Sequence, residues 1–229
     1  MSADRFEALR RHMVMEIAAE TIYVSAQIGK AALARPVIEA MGQVPRQEFV
    51  PLELQPYAYV NSPLPIGCGK TISQPFIVAL MTDLLGLEAS DTVLEIGTGL
   101  GYQAAIAAKL ARKVYSVEIL EELGRQAEQR LARLGYENIE LKLGDGYYGW
   151  PEHAPFDKII VTAAPDLIPP PLIEQLKPEG RMVIPTGLPE AQQLTLLEKQ
   201  SNGQLAITEI LPVRFSTLEG GDARKSGAS

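Results

Sequence analysis

An α/β fold built on a mostly parallel sheet is predicted for this 229-residue chain by three features of its sequence. Short apolar runs alternate with helical patterns from Asp91 to Ile184. A glycine-rich turn joins the first of those runs to a helix, and two β-rich stretches flank a turn near the C-terminus. Strands separated by helices form right-handed crossovers, which leave a doubly wound parallel sheet covered on both faces. With 46% hydrophobic and 21% charged residues the composition is that of a globular protein. The length suits one domain over residues 1–229, at about 100 to 200 residues per domain.

Residues 1–50 read as a helical extension. Phe6, Leu9, Met13, Ile17 and Ala18 recur at helical intervals, and Pro36, which needs no N–H in a first turn, opens a second run through Val37, Ile38 and Met41. From Val50 to Pro75 the prolines 51, 56, 63 and 65 with Gly67 and Gly69 forbid a long regular element. Long loops inside compact domains are usually functional. Ser73, followed by Gln74, Pro75 and an apolar helical run, has the form of a helix N-cap. In the core, 76–219, strands are expected at Thr92–Ile96, Lys113–Glu118, Ile139–Leu143, Lys158–Thr162 and Arg181–Ile184. Helices fall at Gly101–Leu110, Glu121–Leu134 and Pro171–Leu176. Gln193–Leu197 and Ala206–Arg214 flank Ser201-Asn-Gly203 and predict an antiparallel hairpin at one sheet edge. Residues 220–229 are polar and glycine-rich and are expected to form a flexible tail.

Several classes of function fall away on composition. One cysteine, Cys68, and two histidines, His12 and His153, can build neither a disulfide nor a Cys/His zinc cluster, so no metal is expected. A net charge of -7 opposes a nucleic-acid backbone as partner. No apolar run reaches the length of a membrane span, and acidic and basic residues stud the N-terminal region, so neither a membrane anchor nor a signal peptide is expected and the protein reads as cytoplasmic.

The chemistry concentrates in Val93-Leu-Glu-Ile-Gly-Thr-Gly-Leu-Gly101, a buried strand running into glycines and then a helix. Gly97, Gly99 and Gly101 allow a tight turn and let a ligand approach the backbone amides, although glycines after a strand also serve simply to pack a turn. A dinucleotide fingerprint needs its third glycine where Tyr102 stands, so a nicotinamide cofactor fits less well. Glu118 ends the next strand about twenty residues on, where a carboxylate can accept both hydroxyls of a ribose. Asp145, in Gly144-Asp-Gly146, ends the third strand on the same carboxyl edge, and equally suits its own turn. Glu95 lies inside the first strand, where a buried carboxylate demands a cation or backbone donors.

A glycine loop of this spacing, with an acid in the strand before it and another after the second strand, resembles the Rossmann-like methyltransferases that use S-adenosyl-L-methionine. That class has a seven-stranded sheet whose last strand is antiparallel. Tyr59 to Gly67 followed by Gly69-Lys-Thr-Ile-Ser-Gln-Pro-Phe-Ile-Val-Ala79 is similar to the protein-L-isoaspartate O-methyltransferase family. So, in order and spacing, are Val44–Pro51, Glu95–Gln103, Gly144–Gly146, Phe156–Pro165, Leu176–Gly180 and Val213–Phe215. The resemblance covers about residues 35 to 220. It implies transfer of a methyl group to the α-carboxylate of L-isoaspartyl residues in peptides and damaged proteins, after which the ester collapses to a succinimide and repair begins. By the same resemblance Ser73 is the catalytic residue, and Thr71 and Ile72 line the donor pocket with Glu95, Gly97, Thr98, Gly99, Gly101, Glu118, Asp145 and Gly146. Asn61, Ser73 and Thr217 are expected to meet substrate. The family commonly carries an acid where Asn61 stands, and Val-Pro-Leu where this chain has Ser216-Thr-Leu218. Tyr57 and Tyr59 are candidate walls of a peptide groove. The competing readings are a methyltransferase of the same build with another substrate, a donor-binding paralogue without turnover, and a nicotinamide-dependent oxidoreductase.

Overall fold

The computed structural model describes residues 3–221, and the remainder of the expected C-terminal tail lies outside the described residues. The N-terminal extension is helical as expected, in α1 (Ala3–Tyr23), α2 (Ser25–Ile28) and α3 (Arg35–Gln43). On α1 the buried stripe runs through Met13, Ile17 and Thr21, while Ala18 faces solvent one position off it. Pro36 sits in the first turn of α3, which buries Val37, Ala40 and Met41.

The segment expected as a loop is more ordered than its prolines suggest. Two short 3₁₀ turns, Arg46–Phe49 and Leu52–Tyr57, lead into a hairpin of β1 (Leu64–Gly67) and β2 (Lys70–Ile72). Cys68 and Gly69 form its two-residue turn, both at positive φ, 52° and 68°, the geometry a right-twisted hairpin selects. Helix α4 (Pro75–Leu85) follows and is buried along nearly its whole length. Its cap position is Gln74, with no side-chain cap, so the capping expected of Ser73 is not realised. Instead Asn61 Oδ1 accepts the Phe76 N–H at 3.0 Å and satisfies a first-turn amide from across the loop.

From β3 (Thr92–Ile96) the chain alternates as predicted: α5 (Tyr102–Ala108), β4 (Lys113–Glu118), α6 (Glu121–Arg133), β5 (Ile139–Leu143), β6 (Phe156–Val161), α7 (Pro170–Glu174), β7 (Leu176–Thr186), β8 (Gln192–Lys199) and β9 (Leu205–Val213). The seven-stranded sheet has the order β5-β4-β3-β6-β7-β8-β9. All pairs up to β7 are parallel, and β7–β8 and β8–β9 are antiparallel. The predicted hairpin is therefore present, but β8 is the strand that runs against the rest, and the last strand, β9, runs with the parallel set. β7 spans eleven residues where four were expected, because pairing with β6 at Leu176 extends it toward the N-terminus and pairing with β8 carries it to Thr186.

Every residue of β3 is buried, as a central strand covered on both faces requires. Val93 belongs to the apolar cluster shared with α1, α3, α4 and α5, and Leu94 and Ile96 to the cluster of Trp150, Phe156 and Leu172. By alternation Glu95 points to the Val93 side. The first cluster ties the N-terminal helices to the sheet. A polar staple adds to it: the buried Asp83 of α4 accepts Lys30 Nζ at 2.5 Å and the Ala34 N–H at 2.6 Å. Asp83→Ala leaves both donors without that partner and is expected to lower the unfolding free energy by about 1–3 kcal/mol. A reduced urea midpoint at unchanged m-value is the readout; an unchanged midpoint contradicts the staple.

Candidate active site

The strand order reverses between β3 and β6, and open α/β sheets bind ligands at the carboxyl edge of such a switch point. Two backbone bonds extend the sheet there: Gly97 N–H to Val117 O and Thr162 N–H to Ile96 O, both 2.9 Å. Thr162 Oγ1 donates to Gly97 O at 2.6 Å. Gly97 has φ 92°, and a Cβ there would lie 2.5 Å from Thr162 Oγ1, so both conformation and contact require glycine. The chain then turns through Thr98 and Gly99 to Gly101, which begins α5 and packs its backbone on Leu131.

Glu118, buried at the end of β4, accepts the Gly99 N–H at 2.8 Å through Oε2 and the Leu120 N–H at 2.9 Å through Oε1. Each carboxylate oxygen keeps a second lone-pair direction, and Glu118 lines a cavity with Gly97, Gly99, Gly146, Thr71 and Thr217. A nucleoside with two ribose hydroxyls and no pyrophosphate suits that donor set. The glycine loop offers backbone amides, the carboxylate offers acceptors, and among the described residues lining the cavity the one cation is Lys70, which is paired with Glu219 at 2.5 Å. Gly146 packs directly on Ile96 at the cavity floor.

Asp145 is placed differently from its expected role. Its Oδ1 accepts the Tyr147 N–H at 2.9 Å and its Oδ2 the Gly221 N–H at 2.6 Å, so it holds its own turn and ties Gly221 to it. Between these anchors the C-terminal segment pairs with Ala164 through Ser216 O and the Leu218 N–H, and runs along the cavity. Thr217, expected beside substrate, thus stands on the Glu118 side.

A second cleft, of about 420 Å³, adjoins the first and is lined by Ser73, Gln74, Ile77, Arg214 and Phe215, with Thr71 and Thr162 at the shared wall. Ile72, Ser73 and Thr98 line a third, smaller cavity that shares Thr71 and Thr162 with both. Ser73 therefore borders the second cleft and this smaller cavity, which shares Thr71, Gly97, Gly99 and Thr162 with the Glu118 cavity. Asn61 does not line them: Oδ1 holds Phe76 and Nδ2 donates to Glu20 at 2.5 Å. Glu20 also accepts from Gln74 Nε2. An acid at position 61 would repel Glu20, so the amide suits this chain. Tyr59 is buried, its hydroxyl engaged with Arg10 and Gln47, and is no groove wall; Tyr57 is exposed. Cys68 is exposed at the hairpin tip. The sequence reading did not single out Glu20, Arg46, Thr162 or Arg214. The last three lie inside motifs that carry the family resemblance, whereas Glu20 sits in α1 with no local signal.

Glu95 is fully buried. Ser116 donates to its Oε2 and is itself 2.6 Å from Thr98 Oγ1, tying the carboxyl to the glycine loop. Its Oε1 has no hydrogen-bond partner among the described residues. Burial above all, then the nearby Glu118 charge, outweighs the Ser116 bond and pushes its pKa up to about 8. The folded chain thus keeps a proton that the unfolded chain loses above pH 4.5, so stability falls as pH rises from about 4.5 to about 8 and levels off beyond. Glu95→Gln is expected to remove this slope, up to about 1.4 kcal/mol per pH unit, in denaturation series across that range. Parallel curves for the two proteins contradict a protonated Glu95.

The family model described as "Protein-L-isoaspartate(D-aspartate) O-methyltransferase (PCMT)" matches residues 18–223. A Polaromonas protein described as protein-L-isoaspartate O-methyltransferase 1 is 64% identical, over 96% of this chain and 93% of its own. A solved protein-L-isoaspartate O-methyltransferase superposes with a TM-score of 0.78 at 32% identity, covering 92% of this chain and 66% of that longer one. A Plasmodium falciparum protein given the same description provisionally, and solved in complex with S-adenosyl-L-homocysteine, shares the fold at TM-score 0.72 and 22% identity, over 88% of this chain and 96% of that one. Family match, near full-length identity and the glycine-loop geometry agree: the chain belongs to the protein-L-isoaspartate(D-aspartate) O-methyltransferase family.

Proposed function

We propose that this chain, acting as one catalytic domain, methylates the free carboxylate of isoaspartyl residues in peptides and damaged proteins, with S-adenosyl-L-methionine as donor. The observation that carries the assignment of roles is the position of Ser73 in the Arg214 cleft and in the small cavity that shares Thr71, Gly97, Gly99 and Thr162 with the Glu118 cavity. When bound, the donor supplies an electrophilic methyl group on a sulfonium centre. Glu118 and the amides of the Gly97–Gly99 turn are the groups that would hold its nucleoside, with Thr71, Ile72, Thr98 and Gly146 around it. Glu95, Gly101 and Asp145 act behind that layer: Glu95 through Ser116 and Thr98, Gly101 by starting α5, Asp145 by anchoring the segment that carries Thr217. Asn61 sets the first turn of α4 next to Ser73.

The substrate carboxylate, with an ordinary pKa near 4, is already ionised at neutral pH, so no residue is required as a strong base. The work left to the protein is orientation and exclusion of water. The Ser73 hydroxyl can donate to one carboxylate oxygen and fix the other toward the donor side, and the buried Ile72 and Thr98 beside it help exclude water. Among the described residues no group of His, Cys, Asp and Glu could hold a metal ion, and no helix is long and apolar enough to cross a membrane.

An isoaspartyl peptide and its aspartyl twin, incubated with labelled donor, test the substrate. Label is expected on the isoaspartyl peptide alone, and equal or absent labelling overturns the assignment. Ser73→Ala is expected to lower kcat by about 10- to 100-fold with donor affinity unchanged. Glu118→Ala is expected to weaken donor binding by about 10- to 100-fold, the loss of one or two charge-assisted hydrogen bonds. Calorimetry in which the serine variant alone loses donor affinity would reverse these roles.

A further inference from the structure

The Val44–Pro51 segment carries Arg46, the largest side chain in the protein with no exposed surface. Its Nε donates to Ala58 O at 2.8 Å and its Nη2 to Ser73 O at 2.7 Å, across 12 and 27 residues of chain. The guanidinium carbon lies 4.7 Å from the centre of the Tyr102 ring, the first residue of α5. Among the described residues it has no carboxylate partner, and Nη1 has no hydrogen-bond partner. Burying a cation without a counter-ion costs several kcal/mol. A tie between two loops needs only neutral donors, so the choice of a rigid, permanently charged fork calls for a reason beyond packing. The planar geometry supplies one, because two fixed N–H directions reach two carbonyls while the face stacks on an aromatic ring, and lysine cannot reproduce this. The groups joined are the loop before β1, the backbone of Ser73 and the helix that follows the glycine turn.

We propose that Arg46 is a positioning residue for methyl transfer: by holding the Ser73 carbonyl against Ala58 and Tyr102, it fixes the serine hydroxyl relative to the donor cavity. This rests on the role given to Ser73 above. Ser73 has no regular element to hold it, since it falls between the end of β2 and the start of α4 and its own side chain caps nothing. Arg46 is the side chain whose hydrogen bond fixes its backbone. A displacement of about 1 Å at such a site is enough to lose on the order of 100-fold in rate.

A double-mutant cycle on the full chain with isoaspartyl peptide tests the idea, because a residue acting through Ser73 loses its effect when that hydroxyl is gone. Arg46→Lys, which keeps the charge and can reach one carbonyl, is expected to lower kcat about 10-fold with the donor Kd unchanged, and Arg46→Met to lower it further. In the Ser73→Ala background either change is expected to alter kcat less than about 2-fold. Equal losses of kcat in both backgrounds, or a matching loss of donor affinity, overturn the positioning role and leave Arg46 a packing residue. A Ser73→Ala protein with full activity overturns the serine assignment, and the Arg46 inference with it. If the Arg46 variants do not fold, the cycle is run with Tyr102→Leu, which removes the ring under the guanidinium but neither carbonyl. Coupling to Ser73→Ala supports the proposal there, and additivity overturns it.

Discussion

The approach of the Gly97 backbone to Thr162 is the constraint on which the rest of the site depends. Two parallel strands that diverge at a switch point open a crevice, and here that crevice is pinned at its base by the Thr162 bonds to Ile96 and Gly97. With the turn closed so tightly, the Gly99 amide is delivered to Glu118, α5 starts at Gly101, and Tyr102 comes under Arg46. The hairpin of β1 and β2 lies over the opening, and Lys70 clasps it to the C-terminal segment through Glu219. The cavity is thus walled by six stretches of chain far apart in sequence, held to one sheet edge by backbone hydrogen bonds and two ion-assisted anchors.

Three buried ionisable groups around this edge are accommodated in three different ways. Glu118 meets two backbone amides at the place where acceptors are wanted. Glu95, one strand inward, meets the Ser116 hydroxyl, and burial outweighs the bonds that favour its charged form and pushes its pKa up to about 8. Arg46 meets two carbonyls and an aromatic face, and burial lowers its pKa with no carboxylate partner among the described residues. The contrast follows from what each backbone position offers. The end of a strand exposes free N–H groups, the middle of a central strand has none left, and irregular loops present free carbonyls.

Much of this was legible in the sequence. The strand and helix alternation from Asp91 onward depends on local period and on glycine placement, and both survive folding. Glu118 and the glycine turn were recognisable because an acid about twenty residues beyond a strand–glycine–helix unit has few other reasons to recur at that spacing. Asn61, Thr217 and Asp145 went differently. Whether a polar side chain faces a ligand or a neighbouring backbone amide depends on which distant segment arrives beside it: Phe76 for Asn61, Gly221 for Asp145, and the Glu118 cavity for Thr217. Ser73 has the local form of a cap, yet the helix begins one residue later because Asn61 supplies the acceptor from outside.

The sequence by itself determined the α/β class, the order of the parallel strands' elements, the C-terminal hairpin and the chemistry of the glycine turn, since these rest on interactions between residues near in the chain. Tertiary structure alone decided that β8 runs against the sheet and that α1 contributes Glu20 to the edge of the cleft. It also decided that the C-terminal segment closes over the cavity and that Arg46 supports Ser73. Each of these is a contact across tens of residues, set by how the sheet brings its edges together, and no local pattern encodes which distant donor will find which acceptor.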